Sequence, residues 1–134
     1  MINSVLIKVR GFHVDIFQHV NNARYLEFLE EGRWAFFDDF GSGTELMQQG
    51  IAWAVVNINI DFKSEANFGD VLAVQTHFSK LGNRSITMKQ RIINTQNQNV
   101  VAEADVTYVC FSKELKAAVP LPDDYRQKIE AAIV

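Results

Sequence analysis

Cysteine and proline are almost missing from these 134 residues: there is one cysteine, Cys110, and two prolines, Pro120 and Pro122. A single cysteine excludes an internal disulfide and any multi-cysteine metal site, and it suits a reducing compartment. With both prolines near the end, nothing upstream carries a proline break. No apolar run approaches the roughly 18 residues of a membrane span. The opening stretch MINSVLIKVRGF is interrupted by Lys8 and Arg10 too early for a signal peptide. Positive charge is not in excess either: 13 Lys and Arg stand against 16 Asp and Glu, a net charge of −3. That leaves no global basic footprint for nucleic acid. No Walker-type or G-x-G-x-x-G loop is present. The expectation is a soluble, cytoplasmic chain with neither a nucleic-acid nor a membrane partner.

What is present is a core. Apolar residues make up 48% of the chain and charged residues 22%, which suits one folded domain over residues 1–134. Residues 4–10 (SVLIKVR) read as a first strand, and residues 22–39 as a helix. Tyr25, Leu26, Phe28, Leu29, Trp34, Ala35, Phe36 and Phe37 cover most of that helix's circumference. Only a narrow stripe through Arg24, Glu27, Glu31 and Asp38 is polar. A helix apolar nearly all round is a buried helix. Gly32, costly in a helix interior, implies close approach by a strand or a second helix. After GSG (41–43), TELMQQ predicts one or two helical turns, with Thr44 as N-cap and Gly50 as stop.

Four strands follow. In VVNINIDF, Val56, Ile58, Ile60 and Phe62 alternate with Asn57, Asn59 and Asp61. The same period of two places Leu72, Val74, Thr76 and Phe78 on one face, then Ile86, Met88 and Ile92, then Ala102, Ala104, Val106 and Tyr108. Turn chemistry separates the strands at Asn67–Asp70, Leu81-Gly82-Asn83 and NTQNQN (94–99). A last helix is expected from Asp123 or Asp124 to Ile133. One helix is buried by one sheet only if the sheet wraps it, so the expected class is α+β, a curved antiparallel sheet around a central helix. A half-wrapped helix leaves apolar surface open, which pairing of two chains closes; a homodimer or homotetramer is expected.

The chemistry concentrates in DIFQHVNNARYLEFLEE, residues 15–31, where an acid, a histidine and two asparagines precede the apolar helix. On residue types alone, Asp15 is a turn or cap residue or a catalytic carboxylate. His13, Asp15 and His19 are all metal-ligand types, but no second cluster supports them and His77 lies on a distant strand, so a metal site is not expected. Cys110, in an apolar strand, reads as an inert buried thiol rather than a nucleophile.

The stretch RGFHVDIFQHVNNARYLEFLEEGRW resembles the N-terminal motif of hotdog-fold acyl-CoA thioesterases of the 4-hydroxybenzoyl-CoA thioesterase type. Within that group it is most similar to the bacterial long-chain acyl-CoA thioesterases, and HVNN recurs in plant acyl-ACP thioesterases. The specific part is D-x-x-x-H-V-N-N-x-x-Y-L-x-F-x-E, and the similarity runs to about residue 111. One departure stands out: many relatives have Pro-Ala after the strand at 55–63, where this chain has Ser64-Glu65-Ala66.

The resemblance implies hydrolysis of fatty acyl-CoA, with coenzyme A as part of the substrate and no cofactor. It makes Asp15 the catalytic carboxylate, acting as general base or nucleophile, and the backbone N–H near Asn22 a donor to the thioester carbonyl. His19 bonds the thioester oxygen, orients water, positions Asp15, or only fixes the loop. Asn21 or Asn22 serves as N-cap or substrate contact, and Tyr25 as pocket lining or core. Glu30 and Arg33 are expected to pair along the helix. Lys80 and Arg84, with Lys89 and Arg91, are the candidates for coenzyme A phosphates. Phe12, Phe17, Leu26, Phe28, Leu29, Trp53 and Val55 are the candidates for an acyl tunnel. The alternatives are an acyl-ACP thioesterase, a non-catalytic acyl-CoA-binding module and a hydratase of the same fold.

Overall fold

The computed structural model describes residues 1–41 and 44–134, without the side chains of 44 and 45; the N-cap role expected of Thr44 lies outside the described residues. The chain runs through β1 (Asn3–Lys8), a 3₁₀ turn (Gly11–His13), α1 (Asn22–Phe40), α2 (Thr44–Gln48), β2 (Ile51–Phe62), β3 (Val71–Leu81), β4 (Ser85–Asn94), β5 (Val100–Ser112), β6 (Ala117–Ala118) and α3 (Asp123–Ala132). The strands form one antiparallel sheet in the order β1-β3-β4-β5-β2, with β6 added to β5. Val5 sits opposite Val74, Phe78 opposite Met88 and Met88 opposite Val106. β6 is too short to carry a period and was not legible in the sequence.

The period-two faces of β3, β4 and β5 are the inner faces: Leu72, Val74, Thr76, Phe78, Ile86, Met88, Ile92, Ala102, Ala104 and Val106 are buried. α1 lies against them. Tyr25, Phe28 and Leu29 pack into a cluster with Leu72, Val74 and Ile92. About two to three turns further along, Phe36 and Phe40 join Phe78, Met88 and Ile129. Between the two apolar clusters lies a polar layer. Gln90 donates to Leu29 O (2.8 Å) and to Thr76 Oγ1 (2.9 Å), and accepts from Arg33 Nη1 (3.0 Å). Gly32 makes this layer possible. A Cβ there would stand 2.5 Å from Val74 Cγ1 and 2.9 Å from both Gln90 Nε2 and Thr76 Oγ1. The close approach implied by that glycine is to β3 and β4.

Three expectations need correction. α1 is not buried all round: Trp34 is 61% and Leu26 42% exposed, because the sheet covers one side only. β2 has the expected alternation, but its apolar face is not a buried one. It forms the edge of the sheet, its register shifts between Val55 and Asn57, and Val56 and Phe62 stay exposed. Arg33 does not pair with Glu30. It turns inward, 6% exposed, and donates from Nε to the Tyr108 hydroxyl at 2.6 Å. The i,i+3 ion pair on α1 is Arg24–Glu27 at 2.9 Å.

Candidate active site

The site is built on the segment that leads into α1. The chain folds back on itself there: Val14 bridges Val20, Asp15 N–H donates to His19 O at 3.1 Å, and Asn21 N–H to His13 O at 2.9 Å. Gln18 closes the tip in the left-handed region, φ 68°, and donates to Asp15 O at 2.9 Å. That conformation costs a non-glycine residue about 1–2 kcal/mol. The returning limb is fastened to the β2–β3 connection. Val20 N–H donates to Ala66 O at 2.9 Å and His19 bridges Asn67. The Asp70 carboxylate braces that connection, accepting from Asn67 N–H (2.9 Å) and from the buried Asn94 side chain (3.0 Å).

Asp15 is half-buried at the tip. Its Oδ1 accepts from Phe17 N–H at 2.9 Å. Oδ2 meets no donor among the described residues, so one carboxylate oxygen is free to take a proton or attack a carbon. Between the two asparagines the structure chooses Asn21 as N-cap, its Oδ1 accepting from Ala23 N–H at 3.0 Å. Arg24 N–H donates to Asn21 O. Asn22 therefore begins the helix with an N–H that meets no acceptor among the described residues, at the positive end of the dipole. Tyr25 is 5% exposed, with ring centroids 6.0 Å from Phe28 and 5.5 Å from Phe62. Burial pushes its phenol above the ordinary range, against a smaller opposing pull from the Ala66 backbone. His19 Nε2 lies 2.9 Å from Glu65 Oε2. His19, Asn22, Tyr25, Phe62 and Glu65 border one cavity of about 350 Å³ at the mouth of α1.

His13 is engaged in the backbone: its Nδ1 accepts from Arg10 N–H at 2.8 Å. Burial, then Arg24, lowers its pKa from the ordinary 6.5. Burial likewise raises the Cys110 thiol, which keeps it protonated.

A second cavity, about 380 Å³, lies between the later turns of α1, α2 and β2. Trp34, Phe37, Ile51, Trp53 and Val55 line it, with Arg33 and Tyr108 also on its wall. The acyl-tunnel candidates thus separate. Trp53 and Val55 line this cavity, Phe28 and Leu29 belong to the core, Leu26 is partly open, and Phe12 and Phe17 stand exposed on the Asp15 loop. Lys80 and Arg84 are exposed at the β3–β4 turn, whereas the Asp15 loop is fastened beside the start of β3; one chain does not bring them together. Lys89 and Arg91 are taken up in pairs across the sheet, with Asp105 (3.6 Å) and Glu103 (3.1 Å). Sequence reasoning missed Glu65 and the Arg33–Gln90–Tyr108 contacts. For Glu65 a signal existed, since it lies in Ser64-Glu65-Ala66, the segment where the chain departs from the Pro-Ala pair that the resemblance leads one to expect.

Residues 9–129 match the family model described as the thioesterase-like superfamily. The chain is 40% identical over 127 residues to the long-chain acyl-CoA thioesterase FadM of Escherichia coli, an alignment covering 95% of this chain and 96% of that protein. It is 32% identical over 115 residues to the chloroplastic acyl-acyl carrier protein thioesterase ATL2 of Arabidopsis thaliana, covering 85% of this chain and 61% of that one. The crystal structure of YbaW, a probable thioesterase from Escherichia coli, superposes with a TM-score of 0.89 at 39% identity, over 98% of both chains.

Proposed function

The chain belongs to the thioesterase-like superfamily, and from that membership and the site's geometry we propose that it hydrolyses fatty acyl-CoA to a free fatty acid and coenzyme A. The observation that supports this reading is a pair of complementary groups on the one folded-back segment that leads into α1. Asp15 offers a carboxylate with one oxygen free, and Asn22 offers an N–H without an acceptor. Water attacks a thioester carbonyl poorly at neutral pH. A carboxylate on one side and an N–H at a helix N-terminus on the other supply the base and the oxyanion donor that the addition needs.

In this mechanism the carbonyl oxygen accepts from Asn22 N–H. Asp15 then either removes a proton from the attacking water or adds to the carbonyl carbon itself. Both routes pass through an oxyanion held by the same donor, and coenzyme A departs as thiolate. If Asp15 attacks, a mixed anhydride forms and water opens it; in H₂¹⁸O a single turnover labels the Asp15 carboxyl when water adds to the aspartyl carbon, a product that base catalysis does not give. The acyl chain takes the apolar cavity beside Trp34 and Trp53. Tyr25 lines the carbonyl end.

The exposed apolar edge of β2 and the open flank of α1 at Leu26 and Trp34 support pairing of two chains as a homodimer, with a tetramer as a dimer of dimers. Lys80 and Arg84, exposed and without an ion pair among the described residues, then serve coenzyme A phosphates at a boundary between chains. A carrier protein is the second reading, favoured by the similarity to the Arabidopsis acyl-carrier-protein enzyme. It requires acyl-ACP turnover that depends on Lys80 and Arg84.

The test is thiol release from a panel of acyl-CoAs by wild type and Asp15→Asn. The variant is expected to lose a factor of about 10²–10⁴ in kcat. Equal rates would remove Asp15 from the chemistry, and binding of acyl-CoA without release from any substrate would make the protein a binding module.

A further inference from the structure

Glu65 has no part in the mechanism above, yet it reaches into the site. Its carboxylate lies 2.9 Å from His19 Nε2, and both side chains border the cavity at the mouth of α1, together with Asn22 and Tyr25. The contact is held at both ends by backbone. His19 bridges Asn67, and Val20 N–H donates to Ala66 O at 2.9 Å, so residues 19–20 and 65–67 form a short ladder with Glu65 at its margin. On the other side of the turn, His19 O accepts from Asp15 N–H at 3.1 Å. His19 is thus tied to Glu65 through its side chain and to Asp15 through its backbone.

A carboxylate only accepts hydrogen bonds, so the nitrogen facing it carries the proton. With Nε2 committed to Glu65, the neutral ring keeps its lone pair on Nδ1, and that tautomer is set by the partner rather than by solvent. We propose that Glu65 is a positioning residue of the hydrolytic site, holding His19 in the orientation and tautomer in which Nδ1 orders the water that adds to the thioester. The proposal rests on the placement of the reaction at Asp15. The pair adds little to folding: its side chains are 42% and 59% exposed, and exposed ion pairs contribute about 0–1 kcal/mol. Catalytic and structural roles are therefore separable by experiment.

The experiment compares steady-state thiol release from one good acyl-CoA substrate by wild type, Glu65→Gln, Glu65→Asp, His19→Ala, His19→Ala/Glu65→Gln and Asp15→Asn, with a melting curve for each. Glu65→Gln is expected to lower kcat about tenfold, below the 10²–10⁴ of a direct general base, with KM within about twofold and an unchanged melting temperature. Glu65→Asp, which keeps the charge, is expected to recover part of the loss. In the His19→Ala background Glu65→Gln should have no further effect, since groups acting as a unit are not additive. An unchanged kcat in Glu65→Gln overturns the proposal, as does the same tenfold loss in the absence of His19. An Asp15→Asn protein with wild-type rate overturns the site itself. An inactive Asp15→Asn beside a fully active Glu65→Gln overturns only the role of Glu65.

Discussion

Replacing Gly32 with alanine sets two effects of opposite sign against each other. In a helix interior the change from glycine to alanine is worth about 1 kcal/mol in favour of the folded state. At this position the new methyl would stand 2.5 Å from Val74 Cγ1, whereas carbon atoms rest at about 3.5–4.0 Å, so helix and strand must part by about 1 Å. Overpacking of that kind costs about 1–3 kcal/mol. The methyl also meets Gln90 Nε2 and Thr76 Oγ1, both at 2.9 Å, atoms already joined to each other at 2.9 Å. If Gln90 yields, a buried donor loses Leu29 O or Thr76 Oγ1, at about 1–3 kcal/mol. With Gln90 displaced the net is a loss of about 1–5 kcal/mol, or a fall of roughly 4–18 °C in Tm for a domain of this size. Thermal unfolding followed by circular dichroism at one protein concentration measures it, since self-association would otherwise shift Tm. Glu31→Ala, on the exposed side of the same turn, reports propensity alone and is expected to be near neutral. Gly32→Ala/Val74→Ala removes the closest contact and should recover part of the loss. A Gly32→Ala protein as stable as wild type, or more so, would show that helix and sheet are not in the contact described.

Two further outcomes are expected. The His13 pKa lies below the ordinary 6.5, and its Nδ1 must stay unprotonated to accept from Arg10 N–H. Between the folded value and 6.5 the unfolded chain binds more protons, so stability is complete above about pH 6.5 and falls as pH drops toward the folded value. Urea denaturation across pH 5–8 should show this slope in wild type and a shallower one in His13→Asn; equal slopes would deny His13 the role. Val56→Lys places a charge on the exposed edge strand and is expected to shift the protein toward monomer in sedimentation velocity, with monomer Tm little changed; an unaltered association state would move the contact away from β2.

The strands and α1 were legible because their periods are long and uninterrupted: the buried faces of β3, β4 and β5 are the alternating residues of the sequence. Burial of β2 was not, because alternation marks a face and says nothing of whether the strand is central or at an edge. Arg33 was read as a surface ion-pair residue since helical spacing offers it Glu30. Its true partners, Gln90 and Tyr108, are far away in sequence and become visible only when the sheet is assembled. Asp15, His19 and Asn22 were singled out as a local cluster with a recognisable motif; His19 and Asn22 border the cavity at the helix mouth, and Asp15 lies at the tip of the loop before it. Lys80 and Arg84 were chosen by charge, by their place beside a turn and by the resemblance, and within one chain they lie at the far end of β3 from the Asp15 loop. Glu65 shows the converse, a residue whose position in the fold matters more than its neighbours in sequence.

The fastening of the Asp15 loop to the β2–β3 connection also dictates an order of events during synthesis. β1 finds its strand partner only in β3, Val20 finds its acceptor only in Ala66, and Val9 N–H finds Asp70 O. While the first half of the chain emerges, its carboxylate, histidine and helix mouth have only the local contacts of residues 13–23 and nothing that fastens them to the sheet. Contacts between distant residues are slow to form because a long loop must close first. The candidate site is therefore assembled by closure of the sheet rather than inherited from the local motif, and a nascent or truncated chain ending before Ala66 carries the motif without its fastening.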